Sequence, residues 1–353
     1  MIEVGSGQTP VLNTETFVQD ILSNIERERE REIIARRFGL FDRRETLEQI
    51  GELLGITRER VRQLEKSVIA RFKTMAEQGQ LPHVKAVEAS LTRQLQQMGD
   101  AARISNLTAV VTAENSKTDQ SRVVFLATLC PHLSVIDEDD NFYQAVGLMS
   151  TRDVAGMKAD IAKLTEAIKK AGEPIAIADA TKAAGLEDAK QAAALASISK
   201  NLATLNGRWG LVKWPMVNPK NIRDKIYVIL KENGHHMHFN EIAGAIKDSD
   251  FKRKDVTTQA IHNELIKDKR FVLIGRGIYA LKEWGYSKGT VADIISKVLK
   301  EAGEPLHRDE IVKRVLKSRF VKETTILLNL QGKAQFKRVA KATYELDDAA
   351  GAE

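Results

Sequence analysis

The chain has 353 residues, 43% hydrophobic, 29% charged and 5% aromatic, with a net charge of +6. That length exceeds one ordinary domain of about 100–200 residues, and the balance excludes both a globally disordered chain and a membrane-embedded one. The single cysteine, Cys130, excludes an internal disulfide and a four-thiolate zinc site. Ala, Leu, Ile and Lys dominate while aromatics are sparse, so a mainly α fold is expected. The first residues show no basic segment followed by an apolar stretch, and no run nears the ~18 apolar residues of a membrane span. A cytoplasmic, nucleoid-associated location with no membrane partner follows as the expectation. The positive charge is uneven: residues 26–73 carry 13 basic and 10 acidic groups, residues 84–217 carry 15 of each, and residues 218–343 carry 26 against 15. An acidic macromolecule such as double-stranded DNA is the partner this distribution favours.

After an N-terminal extension, residues 1–19, the alternating string Glu26–Glu32 predicts a solvated helix face, with Ile33, Ile34 and Phe38 on its apolar side and Gly39 as a left-handed cap. Thr46 with Gln49 three residues on has the spacing of a reciprocal capping box. Leu47, Ile50, Leu53 and Leu54 then repeat at helical spacing, Gly55 permits a tight turn, and Thr57 can cap a second helix. In that helix Val61, Leu64 and Val68 lie on one side, and Arg58, Glu59, Arg62 and Gln63 lie on another near its start. A helix, a glycine turn and a second helix with an exposed polar beginning make a helix-turn-helix suited to the major groove.

The segments Arg36–Leu40, Thr46–Gly51 and Gly55–Glu65 resemble region four of the primary bacterial sigma-factor family. The resemblance covers roughly residues 20–78, within a domain expected at 20–80, and implies binding to a −35-like promoter element and to the β flap of core RNA polymerase. By it, Arg58, Glu59, Arg62 and Gln63 occupy base-reading positions. Their chemistry agrees, since arginine pairs bidentately with guanine and glutamate accepts from the cytosine amino group. Thr57, Arg60 and Lys66 are the expected phosphate contacts, which give affinity without sequence information. The helical region that captures a melted promoter strand in complete sigma factors has no counterpart in the sequence, so DNA opening by this chain alone is not expected.

The remainder repeats. Residues 222–246 and 291–315 align at an offset of 69, pairing Ile226 with Ile295, Gly234 with Gly303 and His238 with His307. Their second halves align at 65, pairing Phe271, Tyr279 and Leu281 with Phe336, Tyr344 and Leu346. A third copy shares Ala171–Pro174 with Ala302–Pro305, with a later helix carrying Ile198 and Leu202, and a fourth, weaker one has a strand-like Phe142-Tyr143. The expected modules are 84–148, 157–215, 219–285 and 290–346, followed by an acidic tail, 347–353. Each reads as helices followed by a β-hairpin, the winged-helix plan. Residues 219–285 resemble the HARE-HTH family through Ile229-Leu230, Met237–Phe239, Glu241-Ile242 and Arg270–Leu281. Residues 290–346 match less well, because Ala340-Lys341-Ala342 replaces the Gly275-Arg276-Gly277 turn.

Lys252, Arg253 and Lys254 precede a helix capped by Thr257, and with Arg276 at the hairpin tip they form a candidate secondary phosphate contact. A solvated basic face on a protein-binding module accounts for them equally well. His235, His236 and His238 read as a structural turn, and Asp137–Asp140 as an acidic hairpin turn rather than a magnesium site. No phosphate-binding loop, dinucleotide-binding glycine pattern or catalytic constellation is visible, so neither enzyme activity nor a cofactor is expected. The leading expectation is a DNA-binding transcription regulator of bacterial type; the alternatives are an architectural nucleoid protein and the specificity subunit of a restriction or modification system.

Overall fold

The computed structural model describes residues 11–251, 253, 255–286 and 289–347. The fold is mainly α, with sixteen α-helices among the described residues and four small sheets. The chain divides into two compact units, Met1–Lys213 and Trp214–Glu353.

In the first unit α1 (Thr14–Leu22) and α2 (Glu28–Phe38) precede α3 (Leu47–Leu54) and α4 (Arg58–Glu77). There follow α5 (Val84–Met98), β1 (Ala101–Arg103), α6 (Ile104–Val111), α7 (Lys117–Leu129), β2 (Leu133–Ile136) and β3 (Ala145–Leu148). The same order returns as α8 (Val154–Ala171), β4 (Ile175–Ala176), α9 (Ile177–Ala183), α10 (Ala189–Ile198), β5 (Leu202–Leu205) and β6 (Arg208–Leu211). In the second unit it occurs twice more. The first set is α11 (Ile222–Asn233), β7 (Met237–His238), α12 (Phe239–Asp248), α13 (Thr258–Lys267), β8 (Phe271–Gly275) and β9 (Ile278–Leu281). The second is α14 (Val291–Ala302), β10 (Leu306–His307), α15 (Arg308–Ser318), α16 (Glu323–Gly332), β11 (Phe336–Ala340) and β12 (Thr343–Leu346). Each set closes one antiparallel sheet in which its third strand lies between the other two.

The hairpins of the second unit share a detail that the sequence obscured. Both carry a register shift, between Leu273 and Gly275 and between Arg338 and Ala340. Gly277 turns the first at φ +71°, and Ala342 turns the last at φ +57°, so alanine accepts a left-handed conformation that its Cβ disfavours. In the first unit β5 and β6 join through Asn206-Gly207, both at positive φ, a pair that suits a two-residue hairpin turn. Leu202 opens β5 opposite Leu211, so the helix expected to carry both Ile198 and Leu202 ends at Ile198. Phe142-Tyr143 is likewise not a strand of the hairpin: Phe142 makes an isolated bridge to Ser199, and the buried run Ala145–Leu148 supplies β3. The Asp139 carboxylate explains this, because it accepts from the Asn141 and Phe142 amides at 2.7 and 2.8 Å and turns the chain there.

One hydrophobic core runs from α1 through α2 and α4 into α5, α6, α7 and the sheet of β1, β2 and β3. Val18, Ile21, Ile34, Val68 and Phe72 share it with Leu91, Leu107, Phe125, Leu129 and Val146. The N-terminal helices and the segment 84–148 therefore bury their apolar faces against each other, and burial of this kind is the main favourable term in folding.

Candidate nucleic-acid interface

The N-terminal helices are locked by local chemistry. The Thr46 hydroxyl accepts from the Gln49 amide at 3.2 Å, while the Gln49 side chain accepts from the Thr46 amide at 2.9 Å, closing the capping box of α3. Gly55 ends α3 at φ +63°. Gly51 permits close approach, since a Cβ there would lie 2.7 Å from the Ile56 carbonyl oxygen. Thr57 caps α4 by accepting from the Arg60 amide at 3.2 Å. Ile33, Ile50 and Val61 form a small buried cluster under the turn.

Charged side chains of α2 add longer ties. Arg29 donates to the Leu54 carbonyl at the C-terminal end of α3. Glu30 is buried and pairs with Arg27 at 3.3 Å and with Arg71 of α4 at 3.2 Å. Arg37 pairs with Glu65 of α4 at 3.2 Å, and Arg36 joins Glu32 at 2.9 Å to Glu45 at 2.8 Å. The string Glu26–Glu32 is thus more than a solvated face, because part of it fastens α2 to α3 and α4. Residue spacing within one helix cannot reveal partners that lie 25 and 41 positions away.

With its back anchored, α4 presents Arg58, Glu59, Arg60, Arg62, Gln63 and Lys66 to solvent, all exposed. At 100° per residue Glu59, Arg62, Gln63 and Lys66 fall on the side opposite Val61 and Val68, with Arg58 and Arg60 on the flanks. Glu59 and Arg62 form a two-pronged ion pair at 2.7 and 2.8 Å. Gln63 donates to Glu59 at 3.4 Å and accepts from Arg60 at 3.3 Å. Arg62 holds the Glu59 carboxyl below its ordinary value, and Glu59 raises the Arg62 guanidinium in return. The face is charged and hydrogen-bonded to itself, with both donors and acceptors available for exchange. The Thr57 oxygen is engaged as the cap acceptor, which leaves its proton to donate outward.

In the second unit Lys252 and Lys254 lie outside the described residues. Arg253 sits at φ +55°, and its carbonyl accepts from Lys225 at 2.6 Å. Arg276 is exposed between β8 and β9. The β8 edge beside it is occupied by the following segment: the Phe320 amide donates to the Ile274 carbonyl at 3.2 Å, and Arg319 donates to the Leu273 carbonyl at 3.0 Å. The Phe320 ring also packs 4.3 Å from that of His236, tilted by 44°, and burial holds that imidazole below its ordinary value. Arg319 and that hairpin edge therefore serve a contact inside the protein. Cys130 is buried, its Sγ 3.3 Å from the Leu126 carbonyl, and burial pushes its thiol up.

Residues 28–77 thus define a helix-turn-helix with an exposed, polar second helix. Residues 27–73 match the sequence model of the family Sigma-70, region 4, a DNA-binding domain and not a catalytic one. RNA polymerase sigma factor sigB of Arabidopsis thaliana is 50% identical over 46 residues, which are 13% of this chain and 8% of that protein. The family match covers the helix-turn-helix, and the chain spans about 8% of the length of that relative. No helix among the described residues is long and apolar enough to cross a membrane.

Proposed function

We propose that the chain is a cytoplasmic transcription regulator of bacterial type, sigma factor-like, that reads a −35-like promoter element with the start of α4 and associates with core RNA polymerase, at its β flap, through the same domain. The observation that carries this reading is the exposed, mutually bonded set Glu59, Arg62 and Gln63 on a helix fixed from behind, inside the stretch that matches Sigma-70 region 4. Arg58, Glu59, Arg62 and Gln63 meet base edges, while Thr57, Arg60 and Lys66 meet phosphates. The four repeats of helix, strand, two helices and hairpin support the winged-helix plan for 84–148, 157–215, 219–285 and 290–346, with 219–285 of the HARE-HTH kind. Arg253 and Arg276 offer secondary phosphate contacts.

Selection from randomised duplexes by the full chain and by Glu59→Ala tests the reading. The wild type enriches a short element, and the variant loses preference at one position, worth about 1–3 kcal/mol. Binding that varies with salt alone and is indifferent to sequence in both proteins refutes it and favours an architectural role. Point substitutions suit this test better than removal of residues 1–80, because removal would strip Val68, Phe72 and Ala76 from the shared core.

A further inference from the structure

Arg62 and Lys66 of α4 line a cleft of about 820 Å³ together with Arg44 and Gln144. Arg44, Ser121 and Gln144 also line a second cleft of about 800 Å³, so the two adjoin. The second holds Arg43, Arg44, Arg103 and Lys117 against two carboxylates, Asp42 and Glu138. Glu138 is already paired with Lys200 at 2.7 Å, which leaves the surplus positive. Arg43, Arg44 and Lys117 are exposed and make no ion pair among the described residues. Gly39 sets the loop that carries Arg43 and Arg44: at φ +67° it packs where a Cβ would lie 2.8 Å from the Arg44 amide nitrogen.

Two aromatic rings complete the second cleft. Three phenylalanine, tyrosine or tryptophan side chains among the described residues are exposed, Phe41 at 47%, Tyr143 at 36% and Phe320 at 51%, and Phe41 and Tyr143 both line it. Tyr143 is rigidly backed, its ring 3.8 Å from the guanidinium of Arg103, which is held in turn by the Ser197 carbonyl. Rings beside unpaired cations in a trough form the arrangement that takes up unpaired nucleotides, the cations following phosphates and the rings stacking on bases. A duplex offers phosphates but no free base face, so the rings distinguish the two.

We propose that this trough is a second nucleic-acid site, in which Arg43, Arg44 and Lys117 hold the backbone of a single strand and Phe41 and Tyr143 stack its bases, next to the duplex bound by α4. The proposal rests on the duplex-reading assignment only for the source of the strand. It goes beyond that assignment because Lys117, Arg103 and Tyr143 lie outside residues 27–73.

The test measures anisotropy of a labelled duplex with a short oligothymidine tail, the same duplex blunt, and the free oligothymidine, each with the full chain. The wild type binds the tailed duplex more tightly than the blunt one. Tyr143→Ala and Phe41→Ala each reduce that advantage about tenfold, the size of one lost stacking contact, whereas Tyr143→Trp retains it. Phe41 stands on an exposed loop, so its variant carries the test if Tyr143→Ala fails to fold. Equal binding of tailed and blunt duplexes by the wild type, or an undiminished advantage in both alanine variants, overturns the proposal. So does a Lys117→Glu variant that weakens both duplexes alike while the alanine variants change nothing, since the trough then holds duplex phosphates. An Arg62→Ala variant that binds blunt duplex normally sinks the α4 assignment instead, and Tyr143-dependent binding of free oligothymidine still upholds the trough.

Discussion

Phe72→Ala probes the shared core directly. Phe72 is fully buried and lies one helical turn from both Val68 and Ala76, so the three form a stripe facing α7 and its neighbours. The start of α4 is pinned by the Ile33, Ile50 and Val61 cluster, and its length by the Arg37–Glu65 and Glu30–Arg71 pairs, so the helix cannot slide in to fill the void. A buried aromatic cut to alanine then costs about 3–5 kcal/mol, a third or more of the total stability of many domains. Hydrogen–deuterium exchange read by mass spectrometry localises the effect. Because the stripe is shared, amides of α5, α6 and α7 should lose protection together with those of α2, α3 and α4. Ile50→Ala, in the separate small cluster, should loosen α3 and the start of α4 while α5 to α7 stay protected. Loss of protection confined to residues 20–80 in Phe72→Ala would refute the shared core and make the N-terminal helices an autonomous module.

Ala342→Gly relieves a left-handed alanine and should stabilise the last hairpin by about 1 kcal/mol, seen as a rise of a few degrees in melting temperature. Cys130 should resist a thiol reagent in the native protein and react at the rate of opening; a fast, stoichiometric reaction would contradict its burial. Burial, and then the neighbouring His235, depress the His236 imidazole, so the folded protein binds that proton less readily than the unfolded chain. Its contribution is therefore present above the ordinary value of about 6.5 and lost as pH falls through and below it. Trp284 fluorescence melts at neutral and mildly acidic pH should show the loss in the wild type and a smaller one in His236→Phe.

Signals that act within a few residues were legible in the sequence. Thr46 with Gln49, Gly55 and Thr57 bound the helices where they stand, because a cap depends on side-chain reach and not on tertiary context. The repeat offsets carried the order of elements into the second unit, and Ala342 kept the hairpin that its missing glycine called into doubt. Tertiary roles were not legible. α7 is apolar on most sides from Val123 to Ala127, and only the structure shows that α4 covers one of them. Phe142-Tyr143 has strand-like composition, but the Asp139 turn sends Tyr143 to the surface beside Arg103. The trough cations come from segments 59 to 74 positions apart, Arg43 and Arg44 before α3 and Arg103 and Lys117 around α6, so no motif spans them.

The same geometry bears on how affinity and selectivity divide. Glu59 cancels part of the positive charge at the start of α4 and engages Arg62 in the free protein. A phosphate backbone alone gains nothing from breaking that pair, whereas a base pair offering both a donor and an acceptor replaces both halves of it. On the proposed assignment the start of α4 is thereby biased against indiscriminate attraction, and sequence-independent affinity comes from cations elsewhere. Arg43, Arg44 and Lys117 lie on a surface joined to α4 through a common core, so on the proposed assignments a single strand held there sits at a fixed offset from a duplex on α4 rather than on a flexible tether. Rigid mounting spares the ordering of a linker when both surfaces engage. On the proposed assignments, selectivity in α4 and affinity in the neighbouring trough are separable by substitution but coupled through Val68 and Phe72, whose burial holds the two surfaces in register.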